Sequence, residues 1–183
     1  LFSVRDGNNK DNLKGTVEAV DGTKLTLINP SLTDMHALNI PPKGQIMISN
    51  KHYYYDSWTA EVGEDGLTSF TFELTEPYDK DPAKIIGKEI SCGLTVDAMG
   101  VPYYQAQINE FLRNFVQEFN DIEKKGVDLN GEKMGSFFVA ESKTGNYFDM
   151  DEYDAATAGG GNWTLTSSMD SYYMLTAATA MVN

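Results

Sequence analysis

The stretch TAEVGEDGLTSFTFEL, Thr59 to Leu74, decides the fold. In its second half Phe70, Phe72 and Leu74 alternate with Ser69, Thr71 and Glu73. Successive strand side chains point to opposite faces, so this pattern predicts a strand with one buried and one wet face. Glu64-Asp65-Gly66 supplies turn residues between TAEV and LTSFTFEL, which makes the whole stretch a β-hairpin.

Similar segments lie on both sides. LKGTVEAV (Leu13 to Val20) and TKLTLI (Thr23 to Ile28) flank Asp21-Gly22, a two-residue hairpin signal whose central positions both need φ > 0. GQIMIS (Gly44 to Ser49) and KHYYYDSW (Lys51 to Trp58) follow, with a turn expected near Asn50-Lys51. KEISCGLTV (Lys88 to Val96) closes the series. Between them, EPYDKDPAK (Glu76 to Lys84) reads as a loop, because Pro77 and Pro82 cannot donate to a ladder. Short strands at this spacing, from about Leu13 to Asp97, predict a small antiparallel barrel or sandwich.

From Tyr103 the period becomes helical. Ile108, Phe111, Leu112, Phe115, Val116, Phe119 and Ile122 fall on an arc of roughly 140°, which predicts a core-facing stripe. Pro102 suits the first turn, Lys124 and Lys125 suit the negative end of the dipole, and Gly126 suits a C-cap. Beyond Gly126, GSFFVA (Gly135 to Ala140) and NWTLTSS (Asn162 to Ser168) read as short strands and TAGGGN (Thr157 to Asn162) as a turn. DSYYMLTAATAMVN (Asp170 to Asn183) fits either strand or helix. The expected class is α+β, mostly β. The expected division is residues 1–9 as the stump of a helical domain, 10–98 as an inserted antiparallel β module, 99–127 as a long helix, and 128–183 as the start of a further β-containing domain.

Composition narrows the function classes. The 183 residues carry 27 Asp and Glu against 14 Lys and Arg, a net charge of −13. Such a surface repels phosphate backbones and anionic lipid, so no nucleic acid or membrane partner is expected. No apolar run approaches the roughly 20 residues of a spanning helix. Cys92 stands alone, which rules out an internal disulfide and a thiolate zinc site and suits a small buried hydrophobe. The start, LFSVRDGNN, reads as the inside of a structured pattern, as an internal fragment would.

Three blocks of sequence resemble one known family. The helix carries Tyr104, Gln107, Ile108, Asn109, Glu110, Phe111, Arg113, Phe115, Phe119 and Asn120, followed by Gly126, Asp128 to Gly131, and Phe137-Phe138. LFSVRD matches at Leu1, Val4, Arg5 and Asp6, and SYYMLTAATAMVN matches more loosely, with Thr179 at the family's usual Asn. The order of these motifs resembles the bacterial flagellar hook-associated protein 1 family, which joins hook to filament. About ninety residues separate Asp6 from Tyr103, where many family members have almost none. A β module inserted at that junction, with its two ends close in space, accounts for the difference. The resemblance implies a structural, non-enzymatic subunit of the bacterial flagellum, extracellular and exported through the flagellar type III route. Its partners would be other copies of itself, the hook protein and the second junction protein. The family's two polymerising ends lie outside this chain, so a monomeric fragment is expected.

No catalytic, cofactor-binding or metal-ligating residue is expected, and no cofactor. Asp149, Asp151, Glu152 and Asp154 suggest calcium, yet Tyr153 stands at loop position 5 and Asp154 where a Gly is needed, so a solvated acidic loop is the better reading. Tyr53, Tyr54, Tyr55 and Trp58 suggest an adhesive, carbohydrate-binding β face on a helical stalk, the alternative function, set against ordinary sheet packing. His36 and His52 have no metal-ligand spacing. Ser3, Ser57 and Ser91 lack a nucleophile elbow, and no phosphate-binding glycine motif occurs. Asn162-Trp163-Thr164 fits a glycosylation acceptor, a coincidence in a bacterial protein.

Overall fold

A computed structural model describes residues 13–33, 38, 40–49, 51–92, 101–141, 147–148, 162–168 and 174–183. Its strands are β1 (Lys14–Asp21), β2 (Lys24–Ile28), β3 (Gly44–Ile48), β4 (Lys51–Gly63), β5 (Gly66–Leu74), β6 (Glu89–Cys92), β7 (Phe138–Glu141), β8 (Tyr147–Phe148), β9 (Trp163–Thr166) and β10 (Ala180–Val182). One helix, α1 (Val101–Glu123), lies between β6 and β7. The fold is α+β and mostly β, as the alternation predicts. Strands β3-β6-β1-β2-β5-β4 run antiparallel in that order, and β3 also pairs with β4, so the sheet curls into a nearly closed barrel. A second, three-stranded sheet, β10-β7-β8, is separate from it in hydrogen bonding, though Ala140 joins the same core cluster.

Each strand of the barrel buries one face. Leu25 and Leu27 of β2, Ile46 and Ile48 of β3, and Phe70 and Phe72 of β5 are all buried. β4 carries the largest side chains. Tyr53 and Tyr55 face inward and Tyr54 outward, but a bulge between Tyr55 and Ser57 then shifts the alternation by one residue. Trp58, Ala60 and Val62 therefore also face inward. Trp58 is 1 % exposed, so it packs the core and is no part of an adhesive face. Its Nε1 and the Tyr55 hydroxyl both donate to the Pro41 carbonyl, at 3.1 and 3.0 Å. Gly44 makes room for Tyr55, whose hydroxyl lies 2.6 Å from where a β-carbon would sit.

The hairpins differ in detail from the expected turns. Asp21 pairs with Lys24, so the central residues are Gly22 and Thr23, and only Gly22 (φ 60°) needs the left-handed region. The β3–β4 turn moves the other way, one residue earlier: Ile48 pairs with Lys51, and Ser49 has φ 50°. KHYYYDSW and TAEV are one continuous strand of 13 residues. Gly66 closes the β4–β5 turn as expected, with φ 99°. In the Glu76 to Lys84 loop, Pro82–Lys84 form a single 3-10 turn capped by the Asp81 side chain, which accepts from the Ala83 amide at 3.1 Å.

β1 pairs with β6 through Lys14↔Ser91, Gly15↔Ile90 and Thr16↔Glu89. Residues 14–16 and 89–91 are thus ladder neighbours, which places the two ends of this stretch close in space. β9, from the segment after residue 128, pairs with the second half of β4, and Leu165 and Leu175 join the barrel's core cluster. That segment therefore shares both sheet and core with the module. The expected helical stump at 1–9 lies outside the described residues, as do the TAGGGN glycines.

Candidate functional site

Helix α1 begins with Pro102 as its second residue, where the missing N–H costs no intrahelical bond. It ends in a tightened turn, with the Lys125 amide on Ile122 O and the Gly126 amide on Glu123 O. The face it buries is not the expected stripe. Arg113, Val116 and Asn120 are 3 %, 1 % and 1 % exposed. Of the stripe, only Val116 is fully buried; Leu112 and Phe119 are half-buried, and Ile108, Phe111, Phe115 and Ile122 are exposed. The docked face is turned by roughly 100° from the apolar one. Packing alone would bury the apolar arc. Hydrogen bonding to neighbouring backbone draws the polar arc inward instead, because a buried backbone group without a partner is costly.

Those bonds join the helix to the Phe137-Phe138 pair and to the segment Met174 to Asn183, two of the matched stretches; LFSVRD lies outside the described residues. Asn120 Oδ1 accepts from the Phe137 and Phe138 amides at 3.0 and 2.9 Å, and its Nδ2 donates to Phe138 O at 2.9 Å. Asn120 thus serves the edge of β7 as a neighbouring strand would. Arg113 Nε donates to Leu175 O at 3.0 Å and Nη1 to Leu38 O at 3.1 Å, tying the helix to the late segment and to the barrel module. Asn109 Oδ1 accepts from the Ala177 amide at 3.0 Å. The Asn183 amide donates to Phe137 O at 2.8 Å. Thr179 occupies the family's usual Asn position, and its hydroxyl meets the Thr176 amide and Met174 O, closing the turn before β10.

The loop Asp128-Leu129-Asn130-Gly131 is an Asx turn. Asp128 Oδ1 accepts from the Asn130 and Glu132 amides, both at 2.8 Å, and Gly131 takes φ 82°. The Glu132 amide, followed by that of Asn130, holds the Asp128 carboxyl below its ordinary range. Leu129 stands fully exposed at the tip.

Above this clamped face runs a ladder of rings. Phe111 stacks on Phe115 at 6.1 Å, Phe115 meets Phe119 tilted at 5.8 Å, and Phe119 meets Phe138 edge to face at 5.1 Å. Phe111 is 69 % and Phe115 43 % exposed. Together with Ile108 and Ile122 they leave an exposed apolar face along the helix.

The other sequence candidates fall elsewhere. Tyr54 is exposed, and Lys51, Tyr53, Tyr78 and Asp79 form a separate clasp at the barrel's end. Tyr53 Oη donates to Asp79 Oδ1 at 2.7 Å, Lys51 Nζ pairs with Oδ2, and the Tyr53 and Tyr78 rings meet at 5.2 Å. The Lys51 ammonium, then the Tyr53 hydroxyl, hold Asp79 down at about 2. Burial and then the Asp79 bond push Tyr53 well above its ordinary value. His52 and Ser57 are exposed on β4. His36, Ser3 and the acidic run Asp149 to Asp154 lie outside the described residues. Among the described residues no group of three or more His, Cys, Asp or Glu gathers as a metal site.

No protein-family profile, curated protein or solved structure matches this chain. Sequence reasoning missed the roles of Asn109, Arg113 and Asn120. Their signal was their spacing, i, i+4 and i+11, which places them on one face of α1 beside the apolar arc.

Proposed function

We propose that the chain is part of a structural subunit at the hook–filament junction of a bacterial flagellum, outside the cell, acting by self-assembly and without catalysis. One observation carries this reading. The helix, Phe-Phe and C-terminal blocks that resemble the hook-associated protein 1 family form one hydrogen-bonded unit through Asn109, Arg113, Asn120 and Asn183. A helix pinned by its polar face and bare on its apolar face suits a scaffold that neighbours complete. Other copies of the subunit, the hook protein and the second junction protein are the neighbours in this reading, and export follows the flagellar type III route.

Immunogold labelling tests it. Antibody raised against this chain, applied to cells expressing the parent protein, is expected to mark a narrow band where hook meets filament. Label spread over the cell surface would overturn the junction role and favour the adhesive reading.

A further inference from the structure

We propose that the bare arc of α1 docks a single amphipathic helix whose apolar residues repeat every 3.5 residues and which sets a Lys or Arg against Glu118. This deepens the scaffold reading above and rests on it. Tyr104, Ile108, Phe111, Phe115, Glu118 and Ile122 follow one another at steps of four, three, four, three and four. That is the heptad seam along which two helices interlock side chains. The five large members of the seam are 43 % to 69 % exposed, and Glu118 is exposed with them.

The charge pattern selects the occupant. Gln107, Asn114 and Asp121 line one side of the seam, and Gln105, Leu112 and Phe119 the other, so neither flank carries a cation. Arg113 is turned into the protein. Glu118 therefore puts a negative charge within an apolar seam, and among the described residues it forms no ion pair. Covering it requires a positive partner, because a buried carboxylate without one is expensive.

A second copy fits poorly. Set parallel, it places Glu118 against Glu118; set antiparallel, it buries each carboxylate among apolar residues. Both copies also carry a net charge of −13. The seam offers on the order of 500 Å² of apolar surface, below the roughly 800 Å² per partner of a stable interface between folded proteins.

Three-heptad synthetic helices with Leu at the core positions and Gln at the flanks test the seam. One carries Lys at the core position meeting Glu118, the other Glu, each made for both helix directions. Calorimetric titration of the whole chain is expected to give at least about tenfold tighter binding of the Lys peptide. Glu118→Lys is expected to invert that preference. Phe111→Asp, at a site too exposed to matter for folding, is expected to weaken the Lys peptide by about tenfold or more. Absence of binding, equal affinity for the two peptides, or indifference to Phe111→Asp would overturn the proposal. So would a chain dimer in sedimentation that Phe111→Asp dissolves. Failed peptide binding with label still at the junction sinks the seam alone, whereas label elsewhere sinks the junction role whatever the peptides do.

Discussion

Replacing Asn120 by alanine isolates what the polar face of α1 contributes. The side chain is 1 % exposed and makes three hydrogen bonds to the Phe137-Phe138 backbone, at 2.9 to 3.0 Å. A neutral bond is worth about 0.5–1.5 kcal/mol net, and a buried group left without a partner costs about 1–3 kcal/mol. Phe138 keeps its ladder with Val182 on the other edge of β7, so the strand stays placed and the lost bonds are not replaced by protein. Water entering the vacated space recovers some of the loss. The expected destabilisation is about 3 kcal/mol, which in a chain of this size lowers the melting temperature by about 6–12 °C. Thermal and urea unfolding followed by circular dichroism measure it. Asn114→Ala is the control: Asn114 is exposed and its Nδ2 reaches only Glu110 O in its own helix, so the change should stay within about 0.5 kcal/mol. A loss at Asn120 below about 1 kcal/mol would refute the view that these bonds set the orientation of the helix.

Gly66→Ala should cost about 2–4 kcal/mol, since φ is 99° and the new β-carbon would stand 2.3 Å from Thr33 O, which accepts from the Leu67 amide. Gly22→Ala, also at positive φ but in open space, should cost only about 1 kcal/mol by the same unfolding assay. Asp79, ordinarily near 3.8, is lowered in the folded protein, so the clasp contributes above that value and is lost as pH falls towards about 2. Melting of Asp79→Asn should lack that acid dependence. Trp58→Ala should destabilise by about 3–5 kcal/mol because the ring is 1 % exposed, while Tyr54→Ala should stay within about 0.5 kcal/mol in thermal melts.

The barrel strands were legible because each carries its own local cause. Phe70, Phe72 and Leu74 alternate whatever lies beside them, and glycines stand where turns need positive φ. The helix was legible for the same reason, its 3.6-residue period and Pro102. The candidate surface was legible only in part. The residues of the seam are plain in the sequence, and their exposure is not.

What the sequence determined by itself, then, is the kind and approximate position of β1 to β7, β9 and α1, but not β8 or the choice of strand for β10: backbone propensity and side-chain period act over a few residues and need no partner. The tertiary structure alone decided three things. It closed the sheet through β3, shifted β4 by a bulge so that Trp58 enters the core, and turned α1 so that Arg113 and Asn120 face inward. The physical reason is common to all three. Each depends on giving backbone groups partners from elsewhere in the chain, such as the Asn120 side chain for Phe138 O or the Arg113 side chain for Leu38 O, and no local period records which distant carbonyl or amide will need a partner.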